Sequence, residues 1–138
     1  MKPGMLLLTL LTLLSTTTMV SGGELQEKLL GKWRYKGKQA GATIESLAEF
    51  QENGAYQCRM NVGLFGTSSV ITFKGKWRIE DDVHVVIEVI ETSSSILLPK
   101  GKIMRKEGVT IKEGVMSYRY NGKPEEEKRV EEKEGEAG

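Results

Sequence analysis

The sequence predicts an all-β protein: a small antiparallel up-and-down β-barrel of eight or so strands, preceded by a short N-terminal helix. Apolar and polar residues alternate with period two, most clearly from Val70 to Glu80, which is typical of a half-buried strand. Short turn signals, among them Glu52-Asn53-Gly54 and Asn121-Gly122, recur roughly every 8 to 12 residues. Consecutive short hairpins favour a meander, and closing the meander into a barrel removes its exposed edges.

The N-terminus has the pattern of a secretory signal peptide. Lys2 provides a positive start, Met5 to Leu14 is an apolar run, and small residues follow from Ser21 to Gly23. The apolar run is about half of the ~20 residues that a membrane-spanning helix needs. We therefore expect residues 1–22 to be cleaved, and an uncleaved anchor is the alternative. No cysteine follows the run, so the mature chain is expected to be secreted or periplasmic, with no stable membrane anchor.

The rest of the chain suits one domain, from residue 23 to residue 130. Residues 131–138 are acidic and contain no apolar residue larger than alanine, so we expect a disordered tail. The whole chain has 20 Lys and Arg against 19 Asp and Glu. This near-neutral balance gives no electrostatic reason to expect nucleic acid as a partner. Glu125-Glu126-Glu127 is interpreted as solvated surface. The lone Cys58 cannot form an intramolecular disulfide, which favours a bacterial exported protein.

The first element is a helix of about two turns at 24–30, with Leu25 and Leu29 on one face. Strands are predicted at 31–38, 42–50, 55–62, 70–80, 83–91, 102–106, 109–112, 115–120 and 125–130, with a turn at 107–108. In the fifth strand Val83 belongs to the inner set, whereas Val86 and Ile90 are apolar on the opposite face. A strand that is apolar on both faces needs a cover. The leucine face of the helix is the predicted cover.

The sequence contains few residues that are candidates for catalysis. The chain has one histidine, His84, and one cysteine, Cys58. The alternation of their strands predicts that Cys58 points into the barrel and that His84 points away from the inner set. A nucleophile–base pair needs both side chains within hydrogen-bond reach, so this pattern argues against one. A zinc site needs three or four converging ligands, and no glycine-rich loop leads into a helix to hold a phosphate. The sequence therefore predicts no enzyme, no metal site and no cofactor.

The inner wall of the predicted barrel offers a binding site. An eight-stranded barrel is either filled by side chains or holds one small ligand, and tyrosine hydroxyls could orient an apolar or amphipathic molecule. The candidate ligand-binding residues are Phe50, Tyr56, Met60, Phe73, Tyr118 and Tyr120, with Leu64 and Phe65 at the entrance. A fully packed core explains the same inner residues nearly as well.

Two loops are unusually apolar, at 61–69 and at 95–99. Apolar side chains on loops can line a ligand entrance, contact a protein partner, or fold in and plug one end of the barrel. The alternative function is therefore a protein-interaction module with a packed core, such as an envelope-stress factor or an inhibitor of a secreted enzyme.

Gly31-Lys32-Trp33, at the start of the first strand and directly after the helix, resembles the Gly-x-Trp signature of lipocalins. Lipocalins commonly set a basic residue from the end of the barrel across that tryptophan, and Arg129 matches this role. From Leu25 to Val130 the pattern is similar to short bacterial lipocalin-like proteins. The resemblance implies a calycin-type barrel with a binding role, clamped by Gly31, Trp33 and Arg129 through a cation–π contact. It does not imply the ligand.

Overall fold

A computed structural model describes residues 23–131, which form a closed antiparallel barrel of eight strands preceded by one short helix. The predicted fold class is therefore confirmed. Helix α1 covers residues 23–29. The strands are β1 (Gly31–Gln39), β2 (Ala42–Phe50), β3 (Ala55–Leu64), β4 (Thr67–Glu80), β5 (His84–Thr92), β6 (Ile103–Lys112), β7 (Val115–Tyr120) and β8 (Lys123–Arg129). The leader predicted at 1–22 lies outside the described residues, as does the predicted tail apart from Glu131.

The barrel has two ends with different connections. Each strand pairs with the next one along the chain, and β1 pairs with β8 to close the sheet. Alternate connections of such a meander lie at the same end. The lower end therefore has α1 and the turns β2–β3, β4–β5 and β6–β7. The upper end has the connections β1–β2, β3–β4, β5–β6 and β7–β8.

Helix α1 covers the lower end of the barrel. Leu29 is fully buried in the same cluster as Trp33 and Phe50, and the Trp33 Nε1–H donates to the Leu29 carbonyl at 2.8 Å. The leucine face of the helix thus packs on the barrel interior, and the prediction that it covers the outer face of the fifth strand is wrong. No helix in residues 23–131 has the length and apolar character needed to span a membrane.

Val86 is buried on the outer face of β5 by a different cover. In the sheet register it lies between Arg78 on β4 and Arg105 on β6. Both guanidinium groups pair with Glu80, at 2.9 and 2.7 Å. The aliphatic parts of arginine side chains can cover apolar surface while their charged ends remain in water, which accounts for an exposed fraction of only 1% at Val86.

β6 replaces two predicted strands. Residues 103–106 of the first and 109–112 of the second belong to one strand, and the predicted turn at Glu107-Gly108 is a bulge with a positive φ of 61° at Gly108. The Gly108 N–H donates to His84 Nδ1 at 3.1 Å, and the Val109 N–H donates to the Val83 carbonyl at 2.7 Å. The extra residue returns Val109 to the core. Val83, predicted to point inward, lies in the turn before β5 and is 40% exposed.

The apolar segment 61–69 is a hairpin and not a flexible loop. β3 and β4 stay in register as far as Leu64 opposite Thr67. Phe65 and Gly66 form a two-residue turn, with φ angles of 55° and 80°. Positive φ at both central positions is the geometry of a type I′ turn, whose twist matches that of the strands. This hairpin rises at the upper end of the barrel.

The apolar loop between β5 and β6 divides its side chains between two environments. Leu98 is buried and belongs to the core, and its N–H donates to the Ser94 carbonyl at 2.9 Å. Ile96 and Leu97 lie in water at the same upper end. The sequence alternatives of plugging the barrel and of presenting apolar surface are thus both realised, by neighbouring residues.

Candidate functional site

The candidate site is a cavity of about 90 Å³ inside the barrel. Its lining residues come from β1, β2, β3, β4, β6, β7 and β8: Tyr35, Gln39, Ile44, Ser46, Tyr56, Cys58, Met60, Phe73, Met104, Lys106, Tyr118, Tyr120 and Glu127. Those nearest the upper end, such as Gln39, Met60 and Tyr120, are half-buried. The cavity therefore lies above the packed lower core and faces the upper end.

A buried ion pair borders the cavity. The Lys106 ammonium on β6 donates to the Glu127 carboxylate on β8, and the two residues are only 7% and 4% exposed. The Tyr118 hydroxyl also donates to Glu127, at 2.5 Å, and the Lys106 ammonium lies 4.6 Å from the centre of the Tyr118 ring. A buried charge is tolerated when it is paired and hydrogen-bonded. Glu127 satisfies both conditions through these two partners.

A second hydrogen-bonded cluster, formed by Tyr35, Gln39 and Glu125, accompanies the Lys106–Glu127 pair. The Tyr35 hydroxyl on β1 donates to Glu125 at 2.9 Å, and the Gln39 amide donates to the Tyr35 hydroxyl at 3.3 Å. Gly37 makes this arrangement feasible, because a Cβ at that position would lie 2.3 Å from the Tyr35 hydroxyl oxygen. The glycine thus lets the tyrosine ring lie along its own strand towards β8.

Burial keeps the acidic hydroxyl and thiol groups of the cavity protonated. Burial, together with the Glu127 charge, raises the pKa of Tyr118, and burial raises the pKa of Tyr56 well above its usual value. Burial also raises the pKa of the Cys58 thiol to about 11. Because the thiolate is the nucleophilic form of cysteine, Cys58 at neutral pH is a small apolar wall residue.

The structure brings together five of the eight predicted ligand-binding residues. Tyr56, Met60, Phe73, Tyr118 and Tyr120 line the cavity.

The other three lie elsewhere. Phe50 is buried below the cavity, in edge-to-face contact with Tyr56 and Trp77 at 4.9 and 5.4 Å between ring centres. Leu64 and Phe65 lie at the tip of the β3–β4 hairpin, 41% and 94% exposed. Neither is among the residues that line the cavity.

Two charged residues of the cavity, Lys106 and Glu127, are not among the residues that the sequence predicts there. The acidic run predicts that Glu127 is solvated surface, and this prediction is wrong, because the Glu127 carboxylate is buried against Lys106. The period-two alternation of β8 indicates this burial. Glu125, Glu127 and Arg129 lie on one face of the strand, and Arg129 is expected to contact the buried Trp33. Lys106 likewise follows Met104 with period two on β6. Both signals conflict with the usual exposure of charged residues.

The lower end has the contact that the Gly-Lys-Trp pattern led us to expect. The Arg129 guanidinium lies over the Trp33 ring, 4.4 Å from its centre. Its Nη1 donates to the Leu30 carbonyl at 2.8 Å, and its Nη2 donates to the Lys28 carbonyl. Gly31 adopts a φ of 117°, and a Cβ there would lie 3.0 Å from Arg129 Nη1. A larger residue at position 31 would therefore press on the guanidinium.

Two larger depressions, of about 520 and 830 Å³, lie on the outer wall of β2–β5. Both are bordered by the exposed, outward-facing side chains Gln57, Lys74 and Glu91. Ligand sites usually combine a buried apolar wall with a few converging polar groups. The interior cavity has this combination in spite of its smaller volume, so it is the candidate site.

Cys58 and His84 have separate surroundings. Cys58 lines the interior cavity, whereas His84 begins β5 at the lower end, where its Nδ1 accepts the hydrogen bond from Gly108. Residues 23–131 contain no group of three His, Cys, Asp or Glu side chains placed to hold a metal ion.

No protein-family model matches this chain, and no curated protein matches it in sequence.

Proposed function

We propose that this protein is an exported, lipocalin-like binding protein that holds a small amphipathic molecule in the upper half of its barrel. Export is inferred from the signal-peptide pattern, and the family likeness from Gly31-Lys32-Trp33 and Arg129 in a closed eight-stranded barrel. One observation carries the binding role: an aromatic and apolar cavity wall meets the buried Lys106–Glu127 pair.

The polar end of the ligand is expected to be an uncharged hydrogen-bond acceptor. An ammonium group has three N–H donors. Lys106 directs one to Glu127 and borders the cavity, so its remaining donors can serve a ligand. The charges of Lys106 and Glu127 cancel, and a charged ligand would add an uncompensated charge to a buried site. A hydroxyl or carbonyl group adds none.

The size of the cavity limits how the ligand enters. About 90 Å³ is below the roughly 300–1,000 Å³ of pockets for drug-sized molecules. Met60 and Met104 are half-buried at the upper side of the cavity, and methionine adapts readily because its chain is unbranched and flexible. We infer that a narrow ligand inserts its polar end towards Lys106 and leaves its apolar chain against these methionines.

Calorimetric titration of residues 23–138 with three eight-carbon probes tests this proposal. 1-Octanol should bind about tenfold more tightly than octanoate or octylamine, because only the alcohol adds no charge. The double variant Lys106→Met/Glu127→Gln removes the ammonium while leaving an amide that can accept from Tyr118. It should weaken octanol binding about tenfold, in line with the loss of one hydrogen bond to a charged group.

Lys102→Met is the matched control, since Lys102 is exposed just before β6. It should leave octanol binding unchanged. Failure of all three probes to bind, or equal octanol affinity in the double variant and the wild type, would refute the proposal. Circular dichroism of each variant establishes that the barrel is intact.

A further inference from the structure

At the upper end β4 extends beyond its neighbour β5. Residues 67–71 pair with β3, from Thr67 opposite Leu64 to Ile71 opposite Met60. Pairing with β5 begins only at Phe73, which lies opposite Thr92. Within residues 23–131, the 67–71 segment has no strand on its second side. We call this segment the β4 edge.

The backbone groups that face the open side can be assigned from the strand geometry. The Thr72 carbonyl accepts from the Ser93 N–H at 2.9 Å, and the Thr72 N–H donates to Ser93 Oγ at 3.0 Å. Thr72 therefore directs both groups towards β5. Residues two apart in a strand direct their groups to the same side, so Ser68 and Val70 direct theirs to the open side. Both residues are exposed.

The β4 edge lacks the features that usually protect a strand edge. Residues 61–73 contain no charged residue and no proline, in a chain that is 28% charged. Natural edge strands commonly have a charge, a proline or a bulge against pairing with another chain. Phe65, at the hairpin tip, is 94% exposed, and Val70 is 51% exposed. The edge is thus open to a further strand.

The absence of charge also indicates what kind of strand fits. In a twofold antiparallel pair the residue on the axis lies opposite its own copy, and the residues next to it lie within two positions of theirs. Like charges placed so are destabilising. An uncharged segment meets no such repulsion. A twofold contact also closes on itself, so that association stops at the dimer.

We propose that the β4 edge is a self-association surface on which two copies of this chain pair their 67–71 segments antiparallel. The twofold axis passes at Ser69. Ser68 of one copy then exchanges backbone hydrogen bonds with Val70 of the second copy, and the reverse pair repeats the exchange. The surface is small compared with the roughly 1,200–2,000 Å² of stable interfaces, so dissociation constants on the order of micromolar or weaker are expected.

Cysteine cross-linking tests the register. Ser69 lies opposite its own copy in a pair without backbone hydrogen bonds, where side chains are closest. Ser69→Cys should therefore form a disulfide-linked dimer under mild oxidation. Thr67→Cys, also exposed and on the same face, lies opposite Ile71 of the second copy and should cross-link at least about tenfold more slowly. Equal or faster cross-linking at position 67 would overturn the proposal.

Sedimentation equilibrium tests the association itself. Val70→Lys places two ammonium groups across the pair and should raise the dimer dissociation constant about tenfold or more. Val83→Lys is the matched control, because Val83 is 40% exposed in a turn at the lower end. It should leave the constant unchanged. A wild type that stays monomeric at millimolar concentration, an unaffected Val70→Lys variant, or assembly beyond the dimer would each overturn the proposal.

Discussion

The two ends of this barrel are built in different ways. At the lower end, α1, Trp33 and Arg129 leave no solvent around the indole, which has an exposed fraction of 0%. At the upper end the core gives way to a cavity, and Phe65, Ile96 and Leu97 project into water. A sheet that closes completely can therefore still leave one end of its interior open. One end supplies packing, and the other supplies space and contact surface.

The seam between β1 and β8 shows the same difference. The two strands are in register only from Trp33 to Tyr35, opposite Arg129 to Glu127. Above that point the described contacts between them include the side-chain hydrogen bond from Tyr35 to Glu125, at 2.9 Å. Side-chain hydrogen bonds restrain strands less than a continuous ladder does. The upper half of the seam is therefore the weaker part of the barrel wall.

The largest effect is expected from Trp33→Ala at the lower end. Deleting a fully buried tryptophan side chain removes its packing and leaves a cavity, at about 3–5 kcal/mol in the free energy of unfolding. It also removes the ring under Arg129. Phe65→Ala at the upper end should change that free energy by no more than about 0.5 kcal/mol, since Phe65 is exposed. Urea unfolding of both variants measures the two losses, and losses of similar size would contradict the view that the lower end supplies the packing.

The next effect concerns the buried pair in the cavity. Lys106→Met alone leaves the Glu127 carboxylate buried without its cation, and breaking such a pair costs about 3–5 kcal/mol. The loss should be at the low end of that range, because Tyr118 still donates to Glu127. Adding Glu127→Gln should recover most of the loss, since no buried charge remains. If the double variant is no more stable in urea than the single one, the cost does not arise from an unpaired charge.

Alkaline pH should destabilise the fold through the cavity groups. Burial raises the pKa of Cys58 to about 11 from a usual 9.0, and burial raises the pKa of Tyr118 above its usual 10.0. In the unfolded chain both groups lose protons at lower pH than in the folded chain. Their contribution is thus fully present below about pH 9 and is lost as the pH rises towards the folded values.

Urea unfolding from pH 8 to pH 11 should show this decline. Tyr118→Phe should make the decline less steep, because one of the titrating groups is removed, whatever its effect at pH 8. An unchanged slope would show that Tyr118 does not contribute to the alkaline destabilisation.

The smallest expected free energy is that of locally opening the upper half of the β1–β8 seam. The Lys32 carbonyl accepts from the Val130 N–H at 2.9 Å, so the backbone N–H and C=O groups of Lys32 point towards β8. Because backbone groups alternate sides along a strand, those of Arg34, Lys36 and Lys38 point towards β8 as well. Arg34 lies opposite Lys128 within the ladder, whereas Lys36 and Lys38 lie above its end. Hydrogen exchange followed by NMR should find the Lys36 and Lys38 amides fast and the Arg34 amide slow. Equal protection would mean that the seam is closed throughout.

The local sequence predicted side-chain burial correctly where one face of a strand is buried and the other is exposed to solvent. The alternation from Val70 to Glu80 predicted which residues of β4 point inward, and Ile71, Phe73 and Trp77 are buried as expected. The same reasoning placed Tyr56, Met60 and Tyr118 around the cavity. It failed at Glu107-Gly108, because a glycine after a charged residue suits a bulge as well as a turn.

Long-range partners explain the other failures. Glu127 is buried because Lys106, 21 residues earlier, supplies the opposite charge. Segment 61–69 is a hairpin because Leu64 and Thr67 stay in register across the turn, although its glycines and serines are typical of a loop.

The resemblance carried by Gly31-Lys32-Trp33 implied the contact between Trp33 and Arg129. The residue pattern alone predicted the alternation within the strands and most of the short turns between them. These features depend on residues that are neighbours in the chain or on one short motif. The burial of Glu127, the short β1–β8 seam and the open β4 edge arise from the packing of the whole barrel. Each of these depends on where neighbouring strands begin and end, and on charges that meet across the barrel, which no local pattern contains.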